Sequence, residues 1–149
     1  MWQIRELTPT ELERVGAVLG LARLEQGDGF YLVAWEGDEP IGHCHLALTD
    51  PPELQDVSVR EEYRRRGAAT TLTKAAEDAA AARGFERVRL TVGIANDAAQ
   101  ALYRGLGYHD AGIPPTRVQG PVRIRTGTIE VDDTLLTWEK TLVPGPRTR

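Results

Sequence analysis

Val57-Ser-Val-Arg-Glu-Glu-Tyr-Arg-Arg-Arg-Gly-Ala-Ala-Thr70 changes character twice along its length. Val57 and Val59 alternate with polar residues and close a short strand. A loop carrying Arg60, Arg64, Arg65 and Arg66 follows, and Gly67 then opens a run of small residues at helical spacing. A helix start exposes N–H groups with no partner inside the helix, at the positive end of the helix dipole. Strand, basic loop, glycine and helix in this order therefore describe an anion site. Gly67 omits the Cβ where backbone would approach a ligand, and arginine forks beside the amides suit a pyrophosphate. The bland alternative is a solvated arginine loop paired with Glu61 and Glu62. Neither Gly-x-x-x-x-Gly-Lys-Ser/Thr nor a Gly-x-Gly-x-x-Gly after a strand occurs, which disfavours P-loop nucleotidases and dinucleotide dehydrogenases.

Working outward, Glu53–Val59 reads as a short buried strand behind the breaker Pro51-Pro52. Gly67–Gly84 reads as a helix whose Leu72, Ala75, Ala76, Ala79 and Ala80 share one face, with Gly84 at the C-cap. Residues 87–93 alternate as a strand, Val88, Leu90 and Val92 against Arg87, Arg89 and Thr91. A short helix then opens at Asn96 and stops at Gly107. Upstream, Trp2–Thr8 reads as a first strand and residues 8–24 as a first helix. Residues 30–49 read as a hairpin turning at Glu36–Pro40. Downstream, residues 111–133 carry Pro and Gly and resist assignment, residues 134–143 form a last strand, and 144–149 make a polar tail that frays, in all from about residue 143 onward. This order predicts one α/β domain over residues 1–149, a mixed sheet with helices on its faces.

The chain has 149 residues, a size at which one hydrophobic core is sufficient without disulfide or metal staples. Its single cysteine, Cys44, excludes a disulfide framework and reads as a small buried hydrophobe. No apolar run approaches a membrane span, and the N-terminal residues lack the apolar core of a secretory leader, so a cytoplasmic location is expected. Net charge is −4, from 18 basic and 22 acidic residues, which argues against nucleic acid as a partner.

Arg64-Arg65-Arg66-Gly67-Ala68-Ala69 resembles the Arg/Gln-x-x-Gly-x-Gly/Ala signature of the GNAT superfamily of N-acetyltransferases. Asn96-Asp-Ala-Ala-Gln-Ala-Leu-Tyr-Arg-Gly-Leu-Gly-Tyr108 is similar to that family's second signature, Asn-x-x-Ala-x-x-Leu-Tyr-x-x-x-Gly-Phe/Tyr. The two stand in the family's order, and the strong match covers about residues 53–108. Ala69 takes the place of the commoner glycine. The resemblance implies the acyl-coenzyme A N-acyltransferase fold, a central mixed and mostly antiparallel sheet flanked by helices, and acetyl-coenzyme A as cosubstrate.

Carried over residue by residue, the resemblance assigns Arg64, Arg65, Arg66, Gly67, Ala68 and Ala69 to the coenzyme pyrophosphate. It assigns Val57 and Val59 to the pantetheine arm through their main chain, Asn96 to the neighbourhood of that arm, and Tyr103 to the sulfur. Amine attack on a thioester develops an oxyanion, for which the Val59 N–H is the implied donor. Collapse expels a thiolate, which a tyrosine still protonated at neutral pH can protonate. Tyr103 lies two helical turns beyond Asn96, so both face one cleft; without the flanking motif it would read as a core aromatic.

The base is open at this level. Glu53, six residues before Val59, stands where some histone-type relatives carry a glutamate base, and it reads equally as an exposed acid at a strand start. His43 and His45 share a strand face and read more readily as satisfied sheet residues than as a zinc pair, since no third ligand is evident; no metal is expected. Asp56 reads as a further acceptor-site residue. The acceptor itself, a small-molecule amine or a protein amine, is not legible. Residues 111–133 extend as a hairpin over the acceptor cleft, serve a homodimer, or form a mobile loop. The competing function is a non-catalytic acyl-coenzyme A-binding sensor or interaction module.

Overall fold

The computed structural model describes residues 2–22 and 29–142. The expected tail and the end of the first helix beyond Ala22 lie outside the described residues. Strands β1 (Gln3–Glu6), β2 (Gly29–Glu36), β3 (Glu39–Ala47), β4 (Glu53–Val59), β5 (Arg87–Gly93), β6 (His109–Asp110), β7 (Thr116–Ile124) and β8 (Gly127–Thr141) form one sheet. Helices α1 (Leu12–Leu19), α2 (Ala68–Ala82) and α3 (Asp97–Gly105) flank it. The strands run β1-β2-β3-β4-β5-β8-β6, with β7 paired to β8 off this path. Every pairing is antiparallel except that of β4 with β5. The expected mixed, mostly antiparallel sheet flanked by helices is the observed architecture.

Two apolar layers sandwich the sheet. On one face the alanine and leucine stripe of α2, Leu72, Ala76 and Ala80, packs with Leu32, Ile41, Cys44, Leu46, Leu54 and Leu90. Small side chains on the helix bring its backbone close to the strands, as the sequence stripe requires. On the other face Val15 and Leu21 pack with Tyr31, Val33 and Trp35. The alternation of β2 explains the division, since neighbouring residues of a strand point to opposite faces.

The first helix is shorter than its sequence reads. A 3-10 turn over Pro9–Glu11 leads into α1, and Gly20 ends it at φ 63, a left-handed C-cap suited to glycine. Glu11 is engaged by both guanidinium nitrogens of Arg5, at 2.8 and 2.7 Å, which ties this turn to β1.

The last strand begins at Gly127, well before the expected Thr134. Leu135–Thr141 pair with β5, while the preceding residues run on past Gly93 and pair with β7 from Thr116 to Ile124. Residues 111–133 thus contain most of a long hairpin. Its turn returns to the molecule: Arg125 Nε donates to Leu21 O at 2.7 Å, and Arg125 N donates to Ala22 O at 2.8 Å. A cation on carbonyls just beyond a helix C-terminus also complements the dipole. No helix among the described residues is long and apolar enough to cross a membrane.

Candidate active site

The site originates in a failure of pairing. The parallel contact of β4 with β5 covers only Glu53 opposite Arg89 and Leu54 opposite Leu90, after which the strands part. Part of the cause lies in β4. The β3–β4 register slips between His43 and His45, and Asp56 in the slip adopts φ 50, a conformation uncommon for a residue with a Cβ. The bulge bends β4 away from β5 and opens a wedge, with backbone of both strands on its walls.

Two cavities occupy the wedge. The larger, about 610 Å³, is lined by the end of β4 (Val57–Val59), by Arg64, Arg65 and the start of α2 from Gly67 to Thr70, and by α3. The smaller, about 380 Å³, is lined by Glu53–Val57, by Leu90–Gly93 and again by α3. Val57, Asn96, Ala99 and Tyr103 line both, so the two spaces meet at the tyrosine.

At the larger cavity, Gly67 takes φ 84 as N-cap of α2, with no side chain capping the helix. A Cβ there would meet no protein atom within 4 Å, so glycine is required by its conformation and the space beside it is open. The first amides of α2 are consequently left for an anion. Arg60, and not its neighbours, takes the nearby carboxylates, pairing with Glu39 at 3.1 Å and Glu62 at 3.0 Å. Arg64, Arg65 and Arg66 have no carboxylate partner among the described residues, and the pairing expected of a self-neutralised loop is limited to Arg60 with Glu62. Arg64 Nε also donates to Val59 O at 3.0 Å, fixing the loop to the strand end. Arg66 is not among the lining residues; its guanidinium lies 5.5 Å from the Tyr63 ring centre.

Tyr103 is 8% exposed, and burial, aided by the nearby Cys44 thiol, pushes its hydroxyl up to about 12. That hydroxyl makes no hydrogen bond to a described residue, and its ring packs edge-on against Tyr108 at 5.8 Å. Asn96 Oδ1 accepts from Ala99 N at 3.1 Å, so the expected capping role and a position between the cavities coincide in one residue. Cys44 is buried, donates weakly to Leu72 O at 3.6 Å, and has its thiol pushed up to about 12 by burial; it is the inert hydrophobe the sequence indicates.

Glu53 stands in the smaller cavity, where its carboxylate accepts from Gln55 Nε2 at 2.9 Å, and Gln55 Oε1 meets His45 Nδ1 at 3.1 Å. His43 is 2% exposed and lies on the same strand face, its Nε2 3.4 Å from Asp56 Oδ2. The Tyr31 hydroxyl donates to the same oxygen at 2.6 Å, and Ala22 N at 3.2 Å. Burial raises the Asp56 carboxyl, but the contacts from His43, Tyr31 and Ala22 outweigh it and hold the group below the usual aspartate range. Tyr31 and Ala22 escaped the sequence reading because a bulge and a contact across 34 residues leave no local signal. The slipped pair His43 and His45 around Cys44 was the nearest hint. Among the described residues no group of three or more His, Cys, Asp or Glu is placed to hold a metal ion.

The Acetyltransferase (GNAT) family profile matches residues 2–108. The chain belongs to the GNAT acetyltransferase family. Members of this family are acetyltransferases, and the fold of the chain is that of the family. A Bacillus subtilis protein named as a ribosomal protein bS18-alanine N-acetyltransferase is 28% identical over 91 residues; the match spans 60% of the length of each protein. The crystal structure of the ribosomal-protein-S18-alanine N-acetyltransferase from Escherichia coli superposes with TM-score 0.75 at 18% identity, covering 100% of this chain and 99% of that one. A Bacillus anthracis protein described as a streptothricin acetyltransferase, solved with acetyl coenzyme A, gives TM-score 0.69 at 15% identity, covering 95% and 99%.

Proposed function

We propose that this GNAT domain transfers an acetyl group from acetyl-coenzyme A to a primary amine by direct attack, with both substrates bound at once. The observation that carries the reading is the pair of cavities meeting at Tyr103, one walled by unpaired arginines and a helix start, the other by carboxylates. The donor set fits a phosphate-bearing coenzyme: open amides behind Gly67, with Arg64 and Arg65 at the rim. Arg66 and the main chain of Ala68 and Ala69 extend the same basic surface, and the main chain of Val57 and Val59 offers hydrogen bonds to an extended arm. When bound, the coenzyme supplies an activated acyl group and a thiolate leaving group.

The chain's own residues do the rest. Tyr103 keeps its proton throughout the neutral range because burial disfavours the phenolate, and it presents that proton where the cavities meet. Glu53 lies in the acceptor cavity as the carboxylate that takes the amine's proton, directly or through water, and Gln55 orients it. The Val59 N–H is assigned to the developing negative charge on the carbonyl oxygen.

Thermal unfolding with acetyl-coenzyme A, against NAD as control, tests the reading. Ligand at 100 times its dissociation constant adds about 2.7 kcal/mol, which for a chain of this size raises Tm by roughly 5–10 °C. A selective shift, followed by coenzyme A release with amines, is the expected result. No shift at saturating ligand refutes the assignment. A shift without turnover of any amine would favour a binding module instead.

A further inference from the structure

The acceptor cavity is charged in one sense only. Glu53 and Asp56 line it, and among the described residues no arginine, lysine or histidine does. A third carboxylate stands behind the lining residue Gly93: Asp133 Oδ2 sits 2.7 Å from where a Cβ on Gly93 would stand. The nearest cation by register, Arg89 opposite Glu53, is committed to Glu139 at 3.1 Å. Within this wall Asp56 is the carboxylate held from behind. Tyr31, Ala22 and His43 all address its Oδ2, and no described residue donates to Oδ1. The side chain is 22% exposed, so the free oxygen has an opening.

We infer that the acceptor carries a second cationic group besides the amine that is acetylated, and that Asp56 Oδ1 anchors that second cation. The inference rests on the transferase reading above and names the substrate class, α,ω-diamines and longer polyamines. The argument separates the two carboxylates by chemistry. The reacting amine must be neutral to attack, so a carboxylate that stays ionised and pins an ammonium would hold the wrong form of it. Three contacts on Oδ2 make Asp56 a better ion-pair partner than proton acceptor. Glu53, bonded only through the neutral amide of Gln55, is the one left to accept a proton. The hairpin contributes to the same selection, since its turn holds Leu21 and Ala22 in place through Arg125, and Ala22 N is one of the donors that fix Asp56.

The test compares propane-, butane- and pentane-diamines with the alkylamines of equal heavy-atom count, in which a methyl replaces the second ammonium. Wild-type kcat/KM is expected to favour a diamine by about tenfold or more, and Asp56→Asn to bring that ratio close to one. The diamine KM is expected to rise with salt more steeply than that of its alkylamine isostere, a readout that needs no variant and holds if Asp56→Asn fails to fold. Equal use of both amines by the wild type overturns the inference and leaves the transferase reading intact, as does a preference that persists in a folded Asp56→Asn. If no amine is acetylated, the transferase reading fails separately. Calorimetric titration of butane-diamine then decides the anchor: binding by the wild type that Asp56→Asn loses supports it, and no binding to the wild type overturns it.

Discussion

Replacing Tyr103 by phenylalanine removes one oxygen, and the structure bounds what that removal disturbs. It makes no hydrogen bond to a described residue, and its residue lines both cavities. Its loss leaves no buried partner unsatisfied, so the stability change should stay within about 0.5 kcal/mol, or roughly 1–2 °C in Tm. If the hydroxyl delivers the proton to the leaving thiolate, kcat should fall by about 10²–10⁴, which corresponds to roughly 3–5 kcal/mol of barrier. Coenzyme affinity should remain within about twofold, because the arginines and amides proposed to hold the phosphates are untouched. Tyr108→Phe supplies the mirror image. Its hydroxyl donates to Glu77 Oε2 at 2.8 Å, and Lys140 Nζ holds the other oxygen at 2.9 Å. Removing it should cost about 1–3 kcal/mol of stability and leave kcat nearly unchanged. Steady-state coenzyme A release, thermal unfolding and calorimetric coenzyme binding read all three quantities. A Tyr103→Phe enzyme with wild-type turnover would remove Tyr103 as the acid, and a large loss of Tm would show that its hydroxyl is structural.

Three further outcomes are expected. The Arg64→Ala, Arg66→Ala double variant should weaken acetyl-coenzyme A binding, with the largest difference at low salt, because exposed charges are screened within about 10 Å at 0.1 M salt; equal affinity in titrations at both salts would remove the loop from the coenzyme site. Glu53→Gln should lower kcat and flatten the acid limb of the pH–rate profile, whereas an unaltered profile would transfer the proton to water or a histidine. Finally, the Tyr103 hydroxyl is raised to about 12 and that of Tyr108 is raised further, Tyr103 mainly by burial and Tyr108 by burial and Glu77. The folded state thus keeps protons that the unfolded chain gives up near pH 10, so this contribution to stability is complete below about pH 10 and lost above it; denaturant unfolding at pH 8 and pH 11 should show the fall, and its absence would mean that the phenols are not desolvated.

Sequence and structure divide the account along a physical line. Whatever rests on local periodicity or on one residue's conformational demand was legible: the alanine stripe of α2, the alternation of β5, the helix-ending glycines at Gly84 and Gly107, and the Asn96 cap. The strand–arginine–glycine–helix order also sufficed to locate the open helix start beside the larger cavity, because a helix start presents its amides whatever packs around it. Features that depend on pairing between distant segments were not legible. Residues 111–133 left three readings open, a hairpin among them, because a hairpin is stabilised by its partner strand, and β7 is mostly exposed with only weak alternation of its own. Which arginine of the loop takes the carboxylates was likewise visible only in the structure, where it is Arg60. The wedge, the bulge at Asp56 and the meeting of two cavities at Tyr103 arise from register, and register is a property of two strands at once. The residues that line the two cavities can therefore largely be named from the sequence, but that Asp56 is held by three neighbours while Glu53 meets only Gln55 is decided where the chain folds back upon itself.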